Sequence, residues 1–147
     1  ITTFRNTAAA PEFGVKLRDQ IAAGAVVGPR MFTSGPLIDL PGQVWSGSPD
    51  ATEVTTTEEV RTEVRQQAEA GADYVKLYAH LGPELIRAGI EEAHAHGIKA
   101  LGHLGKTGWA DAAAMGLDAV THSGKLYAQA GARRSSADKC AANIGKH

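Results

Sequence analysis

Three residues of unusual type stand in apolar, strand-like segments of this 147-residue chain. Lys76 interrupts one such segment, and His103 and His122 each close a later one. A lysine buried in an apolar strand loses hydration, so its pKa falls and its neutral, nucleophilic amine becomes accessible. Two histidines on neighbouring strands, with side chains that point into the same cavity, offer imidazole nitrogens at metal-binding distance. The three residues therefore predict either a reactive lysine or a metal site.

Lys76 allows two kinds of chemistry. It can form a Schiff base with a carbonyl substrate, as in lysine-dependent aldolases. It can instead take up carbon dioxide as a carbamate and become an anionic oxygen ligand that bridges two metal ions. The aldolase interpretation leaves His103 and His122 without a necessary role, whereas the metal interpretation uses all three residues. We favour the metal site and keep the aldolase as an alternative.

The segments that carry these residues belong to a regular alternation of strands and helices. Strands are predicted at 1–5, 30–35, 72–78, 98–103 and 117–122, and helices at 11–23, 56–71, 83–97 and 109–115. This alternation is typical of parallel βαβ units, in either an open doubly wound sheet or part of a TIM (β/α)8 barrel. No strand–helix junction shows the glycine fingerprint of a dinucleotide-binding or phosphate-binding fold. Polar residues at the carboxyl ends of strands favour the α/β barrel, because its active sites lie there.

A long polar stretch, 39–54, follows the second predicted strand and should rise on the same face. Loops of this length inside a compact domain are often functional. Trp45 within it predicts an apolar wall of a substrate pocket, or equally a loop that packs its own aromatic residue. Weaker candidates for substrate contact near strand ends are Ser34, Tyr78, His80 and Ser123.

The composition excludes several classes of protein. The chain is 43% hydrophobic and 21% charged with a formal net charge of -1. These values are typical of a globular chain and show no excess of basic residues. Its one cysteine, Cys140, cannot form an internal disulfide. No apolar run approaches the roughly 20 residues of a membrane helix. We therefore expect a small-molecule substrate, no nucleic-acid or membrane partner, and a cytoplasmic location.

The charge is distributed unevenly along the chain. Residues 1–124 carry ten Lys and Arg against fifteen Asp and Glu, whereas residues 125–147 carry five against one. The second segment holds few large apolar residues, so burial cannot offset its ordering entropy. We predict a folded part at 1–124 and a basic tail at 125–147 that is disordered or non-native, with a nucleic-acid-binding tail as the alternative.

The sequence around the three residues resembles the amidohydrolase superfamily, closest to its imidazolonepropionase-like and prolidase-like branch. The resemblance is carried by the runs 1–6, 28–36, 71–78, 94–103 and 116–122. It implies a metal-dependent hydrolase on a TIM barrel, in which a carbamylated strand-four lysine bridges two divalent ions, usually Zn2+. Lys76, His103 and His122 match that lysine and the histidines of strands five and six, and are thereby both catalytic and metal-ligating. The implied reaction is attack of a metal-bound hydroxide on an amide-type or cyclic amide carbon–nitrogen bond.

The chain also departs from that family's pattern. The His-x-His pair of the first barrel strand and the aspartate of the eighth have no counterpart, so we expect a fragment covering strands two to six. His94 and His96 do not replace the pair, because residues two apart at a helix end point in different directions. We expect this chain to be incomplete as an enzyme, to hold at most one ion weakly, and to self-associate through exposed barrel edges. A non-catalytic barrel remnant is the alternative.

Overall fold

A computed structural model of the chain describes residues 1–122. Its strands are β1 (Thr3–Asn6), β2 (Arg30–Thr33), β3 (Leu37–Asp39), β4 (Ala51–Glu53), β5 (Tyr74–Leu77), β6 (Lys99–Gly102) and β7 (Ala119–Val120). Its helices are α1 (Pro11–Ala22), α2 (Thr57–Glu69), α3 (Pro83–Ala95) and α4 (Trp109–Ala114). The predicted tail at 125–147, together with Ser123, lies outside the described residues. No helix within 1–122 is both long enough and apolar enough to cross a membrane.

All strand pairs are parallel, and except for β4 the strands follow the order of the chain. β1 pairs with β2, and the larger sheet runs β4, β3, β5, β6, β7. A bridge between Ser34 and Tyr74 joins the end of β2 to β5, and Ile38 of β3 pairs with Leu77 of β5. β2 and β3 are thus two halves of one strand beside β5. A doubly wound sheet reverses its strand order at a switch point. Here only the three-residue β4 lies on the other side of β3, and from β3 through β5, β6 and β7 the strands follow the order of the chain, as in part of a (β/α)8 barrel.

The sequence predicts a single polar loop at 39–54, and the structure of this stretch is different. It includes the end of β3 at Asp39 and the whole of β4, which pairs in parallel with β3. The strand predicted at 30–35 ends at Gly35. Gly35 instead permits close packing, because a Cβ there would lie 2.5 Å from the side chain of Gln67 in α2. The strand continues beyond this contact.

The core lies between one face of the sheet and the helices α2, α3 and α4. Its central residues are Val60, Val64, Val75, Leu77, Ile86, Ile90 and Ala100, each 1% exposed or less. α2 begins with a capping box, in which the side chains of Thr56 and Glu59 each accept a hydrogen bond from the other residue's backbone N–H group. Side chains alternate along a strand, so Val75 and Leu77 pack against helices while Lys76 points to the opposite face.

Candidate active site

The carboxyl ends of β5, β6 and β7 carry the three residues predicted from sequence. Lys76 lies in the last half of β5, His103 follows β6 directly, and His122 lies two residues after β7. Because the strands are parallel neighbours, these ends meet at one edge of the sheet. Among the described residues other than glycine, only His122 has a positive φ, at 58°. Histidine adopts this left-handed region more often than most residues, and such backbone is common at functional sites.

The side chains form a continuous row. The rings of His103 and His122 lie 4.4 Å apart between centroids, with planes tilted by 49°. Tyr78 meets His103 edge-on at 4.4 Å, and the Nζ of Lys76 lies 5.1 Å from the centroid of the Tyr78 ring. The structure thus brings the three predicted residues together and inserts Tyr78 between Lys76 and the histidines. Their catalytic and metal-binding roles stay predictions.

Lys76 is buried, with 6% of its surface exposed. Burial lowers the pKa of its ammonium group. Its Nζ donates a long hydrogen bond of 3.5 Å to the hydroxyl of Thr7, and no carboxylate within residues 1–122 forms an ion pair with it. Such an amine gives up its proton more readily than an exposed lysine, as both a carbamate and a Schiff base require.

Asp39 is a site-face residue that the sequence interpretation missed. It ends β3, is 4% exposed, and its carboxylate accepts hydrogen bonds from the backbone N–H of His80 at 3.0 Å and from Nδ1 of the same ring at 2.8 Å. An ionised carboxylate only accepts, so with Asp39 in that form the contact requires a proton on Nδ1. The signal was present in the sequence, since Asp39 directly follows the buried apolar pair Leu37 and Ile38.

The weaker candidates occupy different environments. Tyr78 accepts a hydrogen bond of 3.1 Å from the indole N–H of Trp45, so the segment after β3 does fold over the site face. Ser34 is fully buried and donates to the carbonyl of Gly35 at 2.8 Å, which keeps it away from an open site. Trp109 is buried at the start of α4, as a core residue.

The other histidine pair lies away from the row. His94 and His96 are exposed, as predicted. His94 contacts Asp118 at 2.9 Å and His96 contacts Glu92 at 3.2 Å, in both cases through Nε2. Asp118 precedes β7 and so belongs to the amino-terminal face of the sheet, where barrel residues usually serve stability.

Asp118 holds the beginnings of two strands together. Its carboxylate accepts hydrogen bonds from the backbone N–H of Ala100 at 2.9 Å, from His94 at 2.9 Å and from Lys99 at 3.0 Å. Burial by itself raises the pKa of Asp118, but these bonds outweigh it and lower the pKa to about 2. The group is therefore ionised in the folded protein down to strongly acidic pH.

A metal ion fits the row on one condition. Within residues 1–122, no three His, Cys, Asp or Glu side chains are arranged to hold a metal. His103 and His122 supply two imidazoles, and Lys76 supplies a third donor only as a carbamate. Two imidazole nitrogens with an anionic oxygen suit zinc. The residues fit one ion if Lys76 is carbamylated.

Comparisons with known proteins bear on the family and the fold. The family model described as the amidohydrolase family matches residues 1–133. A candidate prolidase from Bifidobacterium longum is 33% identical with a TM-score of 0.71, covering 82% of this chain and 32% of that one. The fold is shared with a Xaa-Pro dipeptidase with bound methionine in its active site (23% identity, TM-score 0.69, 82% of this chain and 36% of that chain).

The fold is also shared with the ochratoxinase of A. niger (22% identity, TM-score 0.67, 81% of this chain and 36% of that chain). The chain therefore spans about one third of the length of these structures. No curated protein matches its sequence.

Proposed function

The chain belongs to the amidohydrolase family, and from this we propose that it carries the metal-binding strand ends of a hydrolase of amide-type carbon–nitrogen bonds. The observation behind the proposal is the row formed by Lys76, Tyr78, His103 and His122 at the carboxyl ends of parallel strands. Small amides are its substrate class, and dipeptides are a close variant. Names of similar structures support this range, since they include a prolidase and an amidohydrolase.

Lys76 as a carbamate, together with His103 and His122, would hold a divalent ion, for which we propose zinc. When bound, such an ion supplies a Lewis acid and lowers the pKa of water enough to make a nucleophile at neutral pH. A second ion bridged by Lys76 needs ligands beyond these three. Three protein ligands are enough for one zinc with an open position.

The chain's own residues prepare that arrangement. Burial keeps the amine of Lys76 closer to its neutral form, whose lone pair attacks the carbon of carbon dioxide and releases one proton on forming the carbamate. Tyr78 packs edge-on against His103 and lies beside Lys76, so it fixes both side chains. The exclusion of water around Lys76 strengthens every electrostatic interaction that its carbamate makes.

Zinc titration of the 147-residue chain tests the proposal. Calorimetry in bicarbonate buffer should show about one ion per chain, and binding should weaken when carbon dioxide is removed. Lys76→Ala and His103→Ala should each abolish the bicarbonate-dependent part, whereas the exposed control Lys16→Ala should not. Two tight sites, or zinc binding that ignores bicarbonate, would contradict the assignment.

A Schiff-base aldolase is the second candidate, because the buried Lys76 amine with its lowered pKa also suits imine formation. Borohydride reduction in the presence of a carbonyl substrate separates the two. A stable adduct on Lys76 would support the aldolase and count against the hydrolase. Absence of bicarbonate-dependent zinc binding would favour a non-catalytic remnant.

Two further properties stay predictions. Within the described part, β1 and β7 each pair on one side only, which leaves hydrogen-bonding edges for self-association. Size-exclusion chromatography would show a monomer if this is wrong. The cytoplasmic location needs localisation of the expressed protein.

A further inference from the structure

The loop between β3 and β4, residues 40–50, is folded on itself. The backbone N–H of Gly42 donates to the hydroxyl of Ser46 at 2.6 Å, and the N–H of Ser46 donates to the carbonyl of Gln43 at 2.9 Å. The N–H of Ser48 donates to the carbonyl of Trp45 at 3.0 Å. These bonds give the β3–β4 loop a defined shape, so its apolar residues have fixed positions.

Two contacts hold this loop over the candidate site. At its base, the buried carboxylate of Asp39 binds His80 through two hydrogen bonds. Near its middle, the indole N–H of Trp45 donates to the hydroxyl of Tyr78 at 3.1 Å. Tyr78 is the residue that contacts both Lys76 and His103, so Trp45 is one side chain removed from the predicted ligands.

The loop nevertheless presents apolar surface to solvent. Trp45 is 42% exposed and Val44 is 87% exposed. The only polar atom of the indole is already bonded to Tyr78, so the exposed remainder of the side chain is apolar ring. A large aromatic side chain whose polar end is fixed and whose ring is accessible is well suited to receive an apolar ligand group.

We propose that Trp45 and Val44 contact the side chain of the substrate and select amides that carry an aromatic or large aliphatic group over small ones. The identity of the substrate as an amide rests on the proposed function. The contact adds a specificity determinant outside the row of Lys76, His103 and His122. Tyr78 acts as a positioning residue, because it holds Trp45 through its hydroxyl.

Tryptophan fluorescence of the metal-free chain tests the contact without requiring hydrolysis. The chain has two tryptophans, so Trp109→Phe leaves Trp45 as the reporter. If that core variant does not fold, the difference between the wild-type and Trp45→Ala signals serves instead. Titration with N-acetyl-L-phenylalanine should give a saturable change, with about tenfold tighter binding than N-acetylglycine.

The variants decide whether the preference belongs to this loop. Trp45→Ala removes the fluorescent reporter, so its affinities are measured by isothermal titration calorimetry, and they should come to within about twofold of each other. Tyr78→Phe removes the hydroxyl acceptor and should reduce the preference several-fold while keeping the ring against His103. Phe13→Ala removes an aromatic residue that is 64% exposed on α1, and should leave the preference unchanged.

Equal affinity for the two probes, absence of binding, or a preference that survives Trp45→Ala overturns this inference. Selective binding by a chain that shows no bicarbonate-dependent zinc binding supports the contact and refutes the proposed function. Bicarbonate-dependent zinc binding without side-chain preference does the reverse.

Discussion

Replacing Lys76 with methionine should make the folded chain more stable while removing its zinc binding. Lys76 is 6% exposed, and burial lowers its pKa. Its contacts are a 3.5 Å hydrogen bond to Thr7 and the face of Tyr78 at 5.1 Å. Methionine has a similar length and no group that requires hydration. A side chain kept for function at the expense of stability should show this behaviour.

The expected gain follows from these contacts. Burying a poorly compensated polar group costs about 1–3 kcal/mol on mutational scales. The hydrogen bond and the cation–π contact together return about 1–2 kcal/mol. Because a hydrogen bond of 3.5 Å is weak, the compensation lies at the low end of its range. Lys76→Met should therefore raise the free energy of unfolding by about 1 kcal/mol.

The pH dependence has a definite sign. The folded pKa of Lys76 lies below the unfolded value of 10.5, so the unfolded chain binds more protons between the two values. The stability of the wild type thus rises with pH in that window. Above the unfolded pKa, the energetic cost of burying a charged Lys76 is gone. The advantage of the methionine variant should shrink accordingly.

Urea unfolding in metal-free, carbon dioxide-depleted buffer measures the effect at neutral pH and again near the upper end of the window. Lys16→Met, at an exposed position, is the matched control and should change stability by less than about 0.5 kcal/mol. If Lys76→Met instead lowers stability by about 1 kcal/mol or more at neutral pH, Lys76 is a structural residue and the reasoning fails.

Two further substitutions probe the framework of the site. Asp118→Ala removes the acceptor of the buried N–H of Ala100 and should lower the free energy of unfolding by about 1–3 kcal/mol in urea. Because the folded pKa of Asp118 is lowered from 3.8 to about 2, this stabilisation is present above the unfolded value and is lost as the pH falls toward 2. An equal acid sensitivity of variant and wild type would argue against this role. Gly105→Ala places a Cβ 2.7 Å from the carbonyl oxygen of Ala79, so the β5–α3 turn must shift. We expect the free energy of unfolding to fall by about 1–3 kcal/mol and the near-ultraviolet circular dichroism spectrum to change. An unchanged spectrum would show that the turn accommodates the added methyl group without shifting.

The clustering of Lys76, His103 and His122 could be predicted because it depends on a general property of parallel strands. Apolar runs separated by amphipathic helices give the strands, and parallel carboxyl ends meet at one edge. No knowledge of distant contacts was needed. The same argument placed the segment after β3 on the site face, where Trp45 is found.

The contacts that shape the site could not be predicted from local patterns. Asp39 and His80 are 41 positions apart, and Trp45 and Tyr78 are 33 apart. The sequence predicts that a strand ends at Gly35. In the structure the strand continues beyond Gly35, and the absence of a Cβ there makes room for the side chain of Gln67 in α2. Each of these features is decided by tertiary packing, which a sequence window does not contain.

The agreement between strand order and chain order bears on how the protein is made. Apart from β4, each new strand joins the edge formed by the strand before it. Such local pairing requires little loop closure, so units can fold in succession as the chain leaves the ribosome. β5 would then be in place before His103 and His122 are synthesised. Thr7 and Tyr78, which contact the amine of Lys76, would by then also have been synthesised.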